Sequence, residues 1–135
     1  MTEDIKVNTT YTFEIPVKIT DETIDNILWT AFNGGSTYWI YSIDIAVRGN
    51  TKSDTVYEQL TNGGSLSIEY YDSDDDSTKT VEYLTLDKFL RGLKQYVTEF
   101  PKCIENGEVD SCNIDSSHSD LILQYALFNG EQVFG

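Results

Sequence analysis

Asp72-Ser-Asp-Asp-Asp76 sets carboxylates at alternate positions, a spacing that can wrap a hard cation such as calcium. The rest of the pattern argues against calcium. The sixth position is not Gly, Tyr83 stands where a bidentate Glu closes such a loop, and strands are expected on either side in place of helices. The run therefore reads as a solvated hairpin tip. Cys103, Cys112 and His118 are the other ligand types, but they form no close Cys-x-x-Cys pair and no fourth zinc ligand accompanies them. A Cys112–His118 nucleophile pair lacks the strained turn and oxyanion-binding glycines that such chemistry needs. Gly34-Gly35 and Gly63-Gly64 fit neither GxGxxG nor GxxxxGK, so no phosphate cradle is expected. With no metal, cofactor or catalytic set in view, the chain reads as a non-enzyme.

What the sequence has in excess is negative charge. Its 23 Asp and Glu against 9 Lys and Arg give a formal net charge of −14 over 135 residues, where a magnitude of about 2–8 keeps a small domain soluble. Such a surface disfavours direct contact with DNA, RNA or anionic lipid, all of which are held by clustered cations. Carboxylates that face a partner are the alternative use. The hairpin residues Glu69, Asp72, Asp74, Asp75 and Asp76 and the loop residues Glu105, Glu108, Asp110 and Asp115 are the candidate partner-binding residues.

The acidity does not mean disorder, because nine Tyr, six Phe and two Trp can fill one core. Residues 1–135 read as a single α+β domain, with a mainly antiparallel sheet of about four strands packed against three to four helices. The first residues carry no basic stretch leading into an apolar one, and no apolar run reaches the ~18 residues of a membrane span. A cytoplasmic protein is expected, with Cys103 and Cys112 as free thiols.

These elements must position the acids. Tyr11, Phe13, Ile15, Val17 and Ile19 alternate with polar residues and predict a strand, with Pro16 at a sheet edge. Thr20 caps a helix carrying Ile24, Ile27, Leu28 and Ala31, and Asn33-Gly34-Gly35 is expected to end it in a left-handed cap. Ile43, Ile45 and Val47 predict a second strand, and a short helix follows over 53–60. Leu66, Ile68 and Tyr70, then Val81 and Tyr83, predict a hairpin. Thr85 caps the longest helix, with Leu86, Phe89, Leu90, Leu93, Val97 and Phe100 on its apolar face, and Pro101 stops it. Lys102 to Asp115 reads as a polar loop, with His118 exposed in the first turn of a last helix over about 117–128. Val133 and Phe134 are expected to pack as a short final strand.

Several segments, Ile19 to Ile27, Ala31 to Gly35 with Tyr38-Trp39, Leu84 to Leu93 and Leu123 to Gly135, together resemble a family of small uncharacterised phage and prophage proteins of Firmicutes. The matching residues are caps, core and turns, and the family brings no catalytic residues with it. The resemblance implies an accessory phage protein acting inside a bacterial host, where blocking host defence is a common task.

Two functions follow. One is an anti-defence inhibitor whose acidic surface mimics nucleic acid and occupies a basic nucleic-acid-binding surface on a host protein, for example a CRISPR effector nuclease. The other is sequestration of a small signalling molecule in an aromatic pocket near Trp29, Trp39 and Tyr41, where Arg48, Lys88, Arg91 and Lys94 are the cations available to a nucleotide.

Overall fold

Thr20, Thr85 and Asp115 start the three α-helices of the described residues, each accepting a backbone N–H from the residue three positions on, at 3.2, 3.2 and 2.8 Å. In the computed structural model, which describes residues 8–72 and 78–135, these helices are α1 (Asp21–Thr30), α2 (Leu86–Glu99) and α3 (Ser116–Leu127). Strands β1 (Ile40–Val47), β2 (Ser65–Tyr71) and β3 (Lys79–Leu84) form an antiparallel sheet in that order, and β4 (Ile104–Glu105) and β5 (Glu108–Val109) form a separate two-stranded ribbon. The α+β class is as the sequence predicts. Its strands are divided between two sheets.

The β2–β3 register sets Leu66 opposite Leu84 and Ile68 opposite Glu82, while β1 brings Ile43 and Ile45 against Ile68 and Leu66. Leu66, Ile68 and Leu84 join Ile27, Leu28, Phe89, Ile122 and Leu123 in one core. Because side chains alternate, Val81 and Tyr83 fall on the other face and are exposed. A bulge between Ile45 and Val47 likewise turns Val47 out of the core row. In α2 the buried face is Phe89, Gly92, Leu93 and Tyr96, whereas Leu90 and Phe100 lie at its exposed margin. Gly92 lets α3 approach: a Cβ there would stand 2.5 Å from the backbone nitrogen of Ala126.

Several sequence expectations are corrected. Residues 11–19 form no strand; Lys18 alone makes a parallel bridge to Glu108, and Tyr11, Phe13 and Ile15 are 82%, 78% and 70% exposed. Alternation makes a strand only where a neighbouring edge supplies hydrogen bonds. Neither Gly34 nor Gly35 is left-handed, because α1 runs on into a wider π-type turn over Ala31–Gly35. Gly35 serves contact instead, since a Cβ would fall 2.1 Å from the Ser116 carbonyl oxygen. The helix expected over 53–60 is two 3₁₀ turns, Val56–Glu58 and Leu60–Asn62, closed as predicted by a left-handed Gly63. Residues 133 and 134 form no strand, although Phe134 stacks on Trp39 at 5.0 Å.

Candidate acidic site

The segment from Lys102 to Asp115 is ordered by local chemistry into a cap, a ribbon and a second cap. Asn106 and Gly107, at φ 54° and 76°, make the two-residue turn that joins β4 to β5. Ile104 pairs with Val109 and turns its partner toward the core, where Val109 is 2% exposed. That register sets Glu105 directly opposite Glu108, both exposed. Asn-Gly between Ile104 and Val109 is a strong hairpin signal, and reading the segment as a plain loop overlooks it.

Glu105, Glu108 and Asp110 line one concavity of about 300 Å³ with Thr23, Asn106 and Val109, and no lysine or arginine borders it. Asp21 and Glu22 stand exposed in the first turn of α1, next to Thr23. Asp110 and Asp115 have structural employment. Asp110 accepts the Cys112 N–H at 2.9 Å. Asp115 accepts the His118 N–H and the Ser117 hydroxyl, both at 2.8 Å, and these bonds hold its carboxyl below the usual range.

Of the other candidates, Glu69 lies on β2 of the three-stranded sheet and Asp72 just past its end, and neither lines this concavity. Glu69 sits 4.0 Å from Lys79, whose ammonium also lies 3.5 Å from the centre of the Tyr41 ring. Asp72 is exposed at the end of β2. Asp74, Asp75 and Asp76, and with them most of the calcium-like run, lie outside the described residues. Two ion pairs occur among the described residues, Glu69–Lys79 and Asp54–Arg48.

The aromatic pocket is not assembled as the sequence suggests. Trp39 is 4% exposed, stacked on Phe134 with its Nε1 donating to Asp120, while Trp29 and Tyr41 are half exposed. A small hollow of about 210 Å³ borders Tyr41 and Phe32, without either tryptophan. Arg48 is occupied by Asp54, and the Lys88 ammonium by the Tyr83 carbonyl. His118 is half-buried, not exposed, with Nδ1 2.6 Å from the Tyr96 hydroxyl and its ring against Phe100. Cys112 is exposed and Cys103 buried, both free, and the described residues contain no metal-capable group of three or more acids, histidines or cysteines. No helix among them is long and apolar enough to cross a membrane.

One polar cluster escapes the sequence reading. Asp120 accepts from Ser36 Oγ, Tyr38 OH and Trp39 Nε1, each at 2.7 Å, and from Gln124 Nε2 at 3.0 Å. Gln124 Oε1 in turn accepts the Val133 and Phe134 N–H groups. Every one of these bonds is satisfied within the fold, which makes the cluster a clamp rather than a reactive site. Its signal is two polar residues four apart, Asp120 at the start of the apolar run of α3 and Gln124 within it. No protein-family model, curated protein or solved structure matches the chain.

Proposed function

We propose that this is a binding protein, not an enzyme, that presents acids on a rigid scaffold to a basic nucleic-acid-binding surface of another protein, as an anti-defence inhibitor of the phage type would. The observation that carries this reading is the pairing of Glu105 with Glu108 across the β4–β5 turn. Like charges directly opposite each other destabilise a ribbon. The fold gains nothing from them, and no cation lines the concavity they share with Asp110. Fixed carboxylates of this kind steer a basic partner into contact and raise its association rate. Sequestration of a small molecule has less support, since Trp39 is in the core.

The test separates free acids from capping ones. Capture from bacterial lysate should recover basic nucleic-acid-binding proteins that are released by heparin and by raising salt, because exposed charges are screened beyond about 8–10 Å at physiological ionic strength. Replacing Glu105 and Glu108 with Gln, or Asp72, Asp74, Asp75 and Asp76 with Asn, should slow association of the captured partner without lowering the melting temperature, the Gln pair raising it slightly as the like-charge repulsion across β4–β5 is removed. Binding that ignores both salt and these substitutions would sink the proposal.

A further inference from the structure

We infer that the segment Tyr11–Val17 is a pairing arm for a second copy of this chain. Its four odd-numbered residues, Tyr11, Phe13, Ile15 and Val17, are apolar and exposed, the first three more so than any other large hydrophobic among the described residues. Among those residues no hydrogen bond holds the backbone between 10 and 17, whereas Lys18 is held on both sides of its residue: its N–H reaches the Gly107 carbonyl and its carbonyl accepts from Val109 N–H, each at 2.9 Å. In an extended chain successive residues aim these groups to opposite sides. Lys18 addresses the β4–β5 ribbon, and in an arm continued from it as an extended strand Pro16 falls on the same side, where its missing N–H ends the pairing after one bridge. In that same extended arm Tyr11, Phe13, Ile15 and Val17 fall on the other side, each with an N–H to give.

A groove of about 450 Å³ runs between this arm and α2, floored by Leu90, Leu93 and Val97 and bordered by Lys18 and Lys94. In a chain of net charge −14 it is an unusual place to find two cations together. The arm's own Glu14, Ile15 and Val17 form one wall of this groove, and a second arm laid along it adds further apolar side chains over the floor and a second Glu14 carboxylate for the two cations. Antiparallel registers centred on Phe13 or Ile15 keep the two Glu14 side chains from facing each other, which a register centred on Glu14 would not. The size is sufficient. At the ~150–250 Å² that a large aromatic buries, two aromatic and two aliphatic residues per arm hide roughly 400–500 Å². Both arms and the surfaces beneath them then total about 1,600 Å², the extent of a standard specific interface.

Sedimentation equilibrium tests this directly. The chain should form a reversible dimer in the micromolar range, and dimerisation should tighten as NaCl is raised from about 0.05 to about 0.5 M, because screening relieves repulsion between two acidic bodies. The double variant Phe13→Asp, Ile15→Asp should weaken it at least about thirtyfold, the loss of one hot-spot residue or more, at an unchanged melting temperature. Thr12→Pro, which removes an N–H from the ribbon side, should leave the dimer intact, whereas Phe13→Pro should not. A chain that stays monomeric at every salt concentration, or a dimer indifferent to the double variant, would overturn the inference. This salt dependence is opposite in sign to that of the acidic site, so the two readings fail separately.

Discussion

Trp39 donates its indole N–H to Asp120 at 2.7 Å, so a loop residue beside β1 is fixed to a carboxylate on α3 in the interior. Ser36 and Tyr38 donate to the same carboxylate, and through Gln124 the arrangement extends to the backbone of Val133 and Phe134. One helical turn of α3 thus holds both the connection that enters the sheet and the C-terminal tail.

Asp120→Ala should cost about 3 kcal/mol or more, since it orphans several buried donors at roughly 1–3 kcal/mol each. Asp120→Asn keeps one acceptor oxygen and should cost less, roughly half as much by the same reasoning. Urea unfolding reads both. A loss for Asp120→Ala within the ~0.5 kcal/mol typical of surface changes would show that the clamp contributes little.

Gly92→Ala sets two effects against each other. Alanine is the better helix former by about 1 kcal/mol, yet the new Cβ would lie 2.5 Å from Ala126 N and 2.8 Å from its Cα, both backbone atoms that cannot swing away. Sterics should win, with a net loss of about 1–3 kcal/mol from overpacking. Stabilisation on thermal melting would place α2 and α3 farther apart than described.

Asp115 carries a pH signature. Its carboxylate is hydrogen-bonded only when folded, so its folded pKa lies below the ordinary 3.8. The stability it contributes is complete above the unfolded value and disappears as pH falls through the folded one. Asp115→Asn should therefore flatten the dependence of the unfolding midpoint on pH between about 5 and 2. An unchanged slope would assign the acid sensitivity to other carboxylates.

Tyr96 should be among the last tyrosines to ionise. Burial first, then the neighbouring Cys103 and Asp115, push its hydroxyl up to about 12. Desolvation of its hydroxyl, which donates to the Asp120 carboxylate, likewise pushes Tyr38 up to about 12. Ultraviolet titration should therefore show a late tyrosinate step that loses one tyrosine's amplitude, without disappearing, in Tyr96→Phe. Because the folded pKa is raised, the associated stability is intact below the unfolded value near 10 and is lost as pH rises toward 12.

Glu108→Lys should divide stability from binding. Opposite charges across β4–β5 replace like ones, so the melting temperature should rise slightly, by a few tenths of a kcal/mol in stability. Association with a basic partner should slow in the same variant. Faster association would remove this ribbon from the binding surface.

Capping and periodicity were legible in the chain itself because they are short-range: Thr20 and Thr85 meet their N–H partners three residues away whatever the rest of the fold does. The β2–β3 hairpin and the buried character of α3 are equally local, resting on alternation and on apolar residues around most of a helix. Tyr11–Ile19 has the same alternation without the same outcome, since a strand needs a second edge and no sequence pattern supplies one. The acids follow this division. Their number is a property of composition, but which are occupied as caps and which stand free depends on where the chain folds around them: Asp115 is bound to the start of α3, and Glu105 meets Glu108 only because Asn106 and Gly107 turn the backbone between them. Asp120, Trp39 and Phe134 lie far apart in sequence and are joined only by tertiary packing, where distances of 2.7 to 5.0 Å are set by helices and sheet already in place.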